Sequence, residues 1–204
     1  MKAFAYRLLL TLLCVPPAFA ASSTDLAVKG SITPSACAPL MSGGSEIDFG
    51  KMTAKDLNSD HYTSLPGQSL HLSVVCEGPT FFTLNTIDNR AGTSASPRHW
   101  HGLGMTPHDE KLGGVAFRVR NPVADGAVVR MVISSDGVTW NPSDILSYAF
   151  KSAVASDSGQ LAPIAVKDFN ADLRLFTRVA PADELTLIDE VPIDGHVTVQ
   201  LNYL

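Results

Sequence analysis

The chain has 204 residues, 45% of them hydrophobic and 17% charged, and a formal net charge of −5. That length supports one sizeable domain with extensions rather than several separate cores. The absence of a Lys/Arg run or basic patch argues against a nucleic-acid partner, and no Gly-x-Ser-x-Gly elbow or phosphate loop marks the chain as an enzyme.

Residues 1–20 read as a signal peptide. Lys2 and Arg7 give a basic start, residues 8–15 an apolar run, and Ala18-Phe19-Ala20 a small-x-small cleavage site. The run is far shorter than the ~20 residues of a membrane-spanning helix, and no later stretch is long enough, so no membrane span is expected in the mature chain. Removing Lys2 and Arg7 leaves 13 basic against 20 acidic residues, a net of −7. Cys14 leaves with the signal peptide, and Cys37 and Cys76 remain as an even pair in an exported chain. A disulfide is the natural reading of that pair, with two free thiols as the alternative.

Residues 21–33 form an N-terminal extension. Leu26, Val28, Gly30 and Ile32 occupy alternate positions, so an extended strand places them on one face. A strand glycine often marks the close approach of another backbone. The pattern fits an ordinary first strand, or a strand that completes another molecule's sheet. Residues 34–204 then read as short strands separated by Gly, Pro and polar turns. Expected strands are 45–52 (with Ile47 and Phe49), 69–76 ending in Cys76, 80–87, 114–120, 127–134, 146–150, 161–166 and 172–179. Ser135-Asp136-Gly137 is a turn signal, and 88–113 is expected to be a long polar loop. Residues 196–204 close the sequence as an amphipathic strand, with Val197, Val199, Leu201 and Tyr203 on one face. Many short strands at this spacing predict an all-β sandwich or barrel.

Two clusters invite a chemical reading. His99, His101 and His108, with Asp109 and Glu110, lie within twelve residues, and two histidines one residue apart on a strand can share a zinc or copper ion. The reading adopted is a polar surface loop with no cofactor, and the three histidines stand as a metal candidate. Trp100 is either a contact anchor or a cover for the sandwich edge. Arg118, Arg120 and Arg130 form either a cationic stripe or, as adopted, a solvated sheet face.

The chain resembles the pilin-type (fimbrial or fimbrial-like) subunits of the chaperone–usher pathway of Gram-negative bacteria. The residues behind this are Leu26, Val28 and Ile32 with Gly30, the following Cys37, the phrase Ile47-Asp48-Phe49-Gly50, Cys76 at a strand end, and the amphipathic last strand with Tyr203 next to last. It is more similar to a poorly characterised group of fimbrial-like periplasmic proteins than to major pilins. The resemblance implies an immunoglobulin-like β-sandwich lacking its final strand, with a Cys37–Cys76 disulfide. It implies that Leu26, Val28, Gly30 and Ile32 act as a donor strand, and that Val197, Val199, Leu201 and Tyr203 line the acceptor groove that a chaperone first fills. The partners implied are a periplasmic chaperone, an outer-membrane usher and other pilin subunits, with passage through the periplasm to a surface fimbria and a role in adhesion. The competing expectation is a self-complemented periplasmic or secreted module that keeps the fold, never polymerises, and binds metal or a small ligand through the histidine loop.

Overall fold

The computed structural model describes residues 36–42, 46–96 and 98–204. The leader residues Leu26, Val28, Gly30 and Ile32 lie outside the described residues. The elements are β1 (Cys37–Ser42), β2 (Thr63–Ser64), β3 (Gln68–Thr80), β4 (Phe82–Asp88), β5 (His101–Gly102), β6 (Gly113–Ala124), β7 (Ala127–Ser134), β8 (Asn141–Pro142), β9 (Ile145–Leu146), β10 (Lys151–Ser156), β11 (Val166–Val179) and β12 (Val197–Tyr203). Two short 3-10 turns, Ala54–Asp56 and Ala182–Glu184, complete the list.

The strands form an all-β sandwich. One sheet has the order β1-β3-β11-β6, with β2, β5 and β9 added at its margins, and the other runs β7-β10-β4-β12, with β8 against β7. Every strand pairing is antiparallel. The sheets communicate through the β6–β7 hairpin, which is paired only at its tip, Val123 with Val128 and Ala124 with Ala127. Asp125 and Gly126 form the loop at φ +50° and +80°. Positive φ at both central residues is the type I′ geometry that matches strand twist and favours Asp-Gly. The Asp125 carboxylate also accepts the Asp168 N–H at 2.8 Å, which holds the hairpin tip on β11.

Alternation builds the core. Leu72 and Val74 of β3, Phe169 and Leu173 of β11, Phe117 and Val119 of β6, and Phe82 and Leu84 of β4 turn inward and are buried together. Phe82 meets Phe169 edge-on across the sandwich at 6.4 Å between ring centroids. Such contacts between the two inner faces are what hold two sheets together. A single residue, Phe81, separates β3 from β4, and there the chain leaves one sheet for the other.

Several expected strands are displaced. Residues 46–52 form no strand: the Asp48 carboxylate accepts the Gly50 N–H at 2.7 Å, and Gly50 sits at φ +67°, so the phrase turns. Ile47 still packs against the core. Within 146–150 only Leu146 is in a strand, because the Ser147 hydroxyl accepts the Ala149 N–H and bends the chain. Within 161–166 only Val166 is, at the start of β11. The strand between them, β10, has Ser152, Ala153, Val154 and Ala155 all buried. It is covered on both faces, with Val132 and Trp140 packed around Ala153 and Ala155, so it lacks the alternation of a half-buried strand.

Candidate functional site

The feature that stands out is an open sheet edge. β12 pairs with β4 along Val197–Tyr203, and among the described residues no strand pairs with its other side. The His196 carbonyl accepts the Asn89 N–H, and the Leu204 N–H donates to the Phe81 carbonyl. Antiparallel ladders alternate, so even-numbered residues of β12 are the ones that bond to β4. The backbone N–H and C=O groups of Val197, Val199, Leu201 and Tyr203 therefore point to the open edge. The side chains of Val197, Val199 and Leu201 lie against the core yet are only half-buried, while Thr198, Gln200 and Asn202 are exposed. Val197, Val199 and Leu201 thus combine an incompletely covered apolar face with backbone groups that bond to no strand among the described residues.

The opposite edge is β1. It pairs with β3 from Cys37 opposite Cys76 to Ser42 opposite His71. The Glu77 N–H donates to the Ala36 carbonyl, so by the same alternation Cys37, Pro39 and Met41 direct their backbone outward. The outward Cys37 N–H donates to the Tyr203 hydroxyl at 2.9 Å. This bond joins the outer edge of β1 to the outer edge of β12, and it marks a seam that no strand closes among the described residues. The Cys37–Cys76 disulfide clamps β1 to β3 at this point. Both cysteines therefore do what the even count in the mature chain implied. Of the four residues expected on the groove face, Val197, Val199 and Leu201 lie there, whereas the Tyr203 side chain is 42% exposed and reaches across the seam.

The histidine cluster does not hold together as a site. His101 is fully buried on β5. Its Nδ1–H donates to the Val115 carbonyl at 3.2 Å, which leaves Nε2 to accept from the Thr86 hydroxyl at 2.7 Å. The rings of Phe117 and Tyr148 stand edge-on to it at 5.1 and 5.3 Å. Burial pushes its pKa down, and the bond to Val115 and the charge of Asp88 only partly offset this. His99 lies against Phe150 with the rings tilted and their centroids 4.8 Å apart, and His108 is exposed. Among the described residues no group of three or more His, Cys, Asp or Glu side chains is placed to hold a metal ion. The 88–113 stretch is also more ordered than a surface loop. Gly102 N–H donates to Asp88, Arg90 ion-pairs with Asp194, and Glu110 accepts from Thr186 N–H at 2.6 Å and from the hydroxyls of Thr186 and Thr106. Those bonds hold the Glu110 carboxyl below its ordinary pKa, the Thr186 backbone bond contributing most. They also tie this stretch to the segment that leads into β12.

The arginine stripe divides. Arg118 and Arg120 converge on one carboxylate, Asp144, at 2.6 and 2.9 Å. Arg130 lies on β7 and faces Asp157 instead. In the sequence the arginines of β11, Arg174 and Arg178, stand out only as polar alternates of a strand. The signal was present: Arg174, Phe176 and Arg178 share the outer face of β11 with Arg118 opposite Arg174.

Comparison with known proteins gives relatives without a stated activity. Residues 26–99 match a family model described as "Protein of unknown function (DUF1120)". That span holds Leu26 to Ile32, both cysteines of the disulfide, Ile47 to Gly50, and β3. Two proteins of Escherichia coli (strain K12) are similar over nearly the whole chain. Protein GltF is 25% identical over an alignment of 226 residues, covering 90% of this chain and 89% of that protein. Uncharacterized protein YhcF is 22% identical over 220 residues, covering 91% of this chain and 92% of that protein.

Proposed function

We propose that this chain is a non-enzymatic structural subunit of a fimbria-like surface fibre assembled by donor-strand exchange. The observation that carries the proposal is the outer edge of β12: among the described residues no strand pairs with it, its apolar face is half-buried, and it lies across a seam from β1. An exposed strand edge is a template for another strand, and strand addition is a recurrent mode of recognition. In this reading Leu26, Val28 and Ile32 of a neighbouring subunit occupy the seam beside Val197, Val199 and Leu201. Gly30 passes where a side chain has no room. A seven-residue donor spans about 23 Å, and β12 is itself seven residues long. Before assembly a periplasmic chaperone supplies the strand, and at the usher the next subunit replaces it.

The test is thermal melting of the chain truncated to start at Pro34, with and without a peptide of residues 22–34. A ligand of the folded state raises apparent stability by mass action. The expected result is a marginal fold rescued by the peptide, and no rescue when Gly30 of the peptide is replaced by Phe. A truncated chain that is already stable and ignores the peptide removes the mechanism. The mature chain run unboiled on a denaturing gel separates exchange from self-completion: a ladder supports a fibre, whereas a single monomer band points to a self-complemented binding module.

A further inference from the structure

The outer face of the first sheet carries an open cleft of about 440 Å³. Four of the chain's eight arginines line it, Arg98, Arg118, Arg174 and Arg178, and no carboxylate does. Arg174 stands opposite Arg118, and Phe176 opposite the small Ala116, so the floor is low between guanidinium groups. In a chain of net negative charge this is a local reversal of sign. A cleft lined by one sign of charge focuses its field and concentrates counter-ions.

Three of these cations have no carboxylate of their own. Arg118 is paired with Asp144, which is already shared with Arg120. Among the described residues Arg98, Arg174 and Arg178 form no ion pair. Arg178 is nevertheless fixed. Its guanidinium carbon lies 4.1 Å from the Tyr62 ring centroid and 4.2 Å from that of Trp100, and its Nε–H donates to the Ser96 hydroxyl at 2.7 Å. Among the described residues its two terminal nitrogens form no hydrogen bond, and they stand in a set orientation, the geometry in which arginine recognises an oxyanion. Arg174 lies over Phe176 at 5.3 Å.

We propose that this cleft binds an acidic sugar: an oxyanion held by Arg98, Arg174 and Arg178, with the sugar ring over the low floor at Ala116, beside Phe176 and Trp100. The volume is within the ~300–1,000 Å³ of small-ligand sites. The shared chemistry is a carboxylate, sulfate or phosphate on a pyranose. The site is independent of strand exchange, since it occupies the outer face of one sheet while the open edge is β12 of the other.

Isothermal titration of the mature chain at matched ionic strength tests this, with glucuronate, glucose 6-sulfate and glucose 6-phosphate as probes, glucose as the neutral control and inorganic sulfate as the bare anion. At least one acidic sugar is expected to bind and glucose to be silent, and the strongest of the three identifies the oxyanion. Arg174→Ala and Arg98→Ala, both at exposed positions, are each expected to weaken binding about tenfold, the loss of one charge-assisted contact. Lys51→Ala, which removes a distant surface charge, is expected to change nothing. Arg178→Gln is read alongside its melting temperature, and if it does not fold, Arg174→Ala and Arg98→Ala decide. The proposal is overturned if no acidic sugar binds at millimolar concentration, if glucose binds equally, or if neither Arg174→Ala nor Arg98→Ala weakens binding. Inorganic sulfate binding as tightly as glucose 6-sulfate overturns the assignment to a sugar.

Discussion

The disulfide is expected to carry β1, and with it one wall of the seam. β1 buries almost nothing: Cys37 is half-buried, Ala38 to Ser42 are exposed, and Leu40 is 57% exposed. Six ladder positions on an edge strand, without apolar burial, offer little to offset the entropy of ordering the segment. The cross-link closes a loop of sequence separation 39. In the chain-entropy account such a loop contributes about 4 kcal/mol, by raising the free energy of the unfolded chain. Replacing both cysteines by alanine is therefore expected to lower stability by about 4 kcal/mol. For a domain of this size each kcal/mol corresponds to roughly 2–4 °C, so the melting temperature is expected to fall by roughly 8–16 °C. Hydrogen exchange adds the local readout, with the amides of Ala38 and Leu40 losing protection before those of β11. A fall of less than about 3 °C with unchanged protection in β1 would refute the reasoning, because the ladder alone would then hold the strand.

His101→Ala removes the partners of the Thr86 hydroxyl and the Val115 carbonyl and leaves a cavity beside Phe117. Unsatisfied buried groups and lost packing together predict a loss of about 3–5 kcal/mol, measured by urea unfolding. The native imidazole also gives a signed pH dependence. Its folded-state pKa is depressed by burial, so the unfolded chain binds the extra proton first. Its contribution is complete above about pH 6.5 and declines as pH falls below that value. Wild type is expected to lose stability from pH 7 to 5.5 more steeply than His101→Phe, and equal slopes would exclude this role. Gly102→Ala sets a methyl group against Thr93 and 2.5 Å from the Arg90 carbonyl. Overpacking of backbone predicts a loss of about 1–3 kcal/mol, and a neutral outcome in the same unfolding assay would mean that the 88–93 turn gives way freely.

What the sequence reveals of this fold depends on how each residue is covered. β3, β6 and β11 alternate because one face meets the core and the other meets solvent, so period two finds them. β10 is buried on both faces with small residues, and it leaves no such trace. The phrase from Ile47 to Gly50 alternates like a strand, but a carboxylate bond to Gly50 N–H turns it instead. His101 is polar by composition and buried in fact, because Thr86 and Val115 satisfy both ring nitrogens from elements distant in sequence. The same distance hides the arginine cleft, whose members come from β6, β11 and the 98–100 segment. The apolar face of Val197, Val199 and Leu201 was legible, whereas the cross-seam reach of the Tyr203 hydroxyl was not, since only the register of two edges brings it to Cys37.

β1 and β12, each open on one side among the described residues, differ in a way that bears on which of them would accept a strand under the proposed exchange. β1 carries Pro39, whose position in the alternation faces outward, and a proline there offers no N–H to an incoming strand. β12, VTVQLNY, has neither a proline nor a charge, the two devices that most often blunt an edge. Val199→Pro uses this difference as a test. The Val199 N–H points to the open side, so its loss breaks no bond to β4, and Thr198, the residue before the new proline, keeps the extended conformation that proline requires. The cost to the monomer is then mainly the half-buried valine side chain, about 1 kcal/mol. For an incoming strand the same change removes a central ladder bond and puts a ring in its path. The expected outcome is a mature chain that melts within about 4 °C of wild type, yet binds the residue 22–34 peptide at least tenfold more weakly and gives no ladder on an unboiled gel. A ladder of unchanged intensity would show that β12 is not the acceptor edge, and the apolar face it leaves half-covered would then need a different occupant.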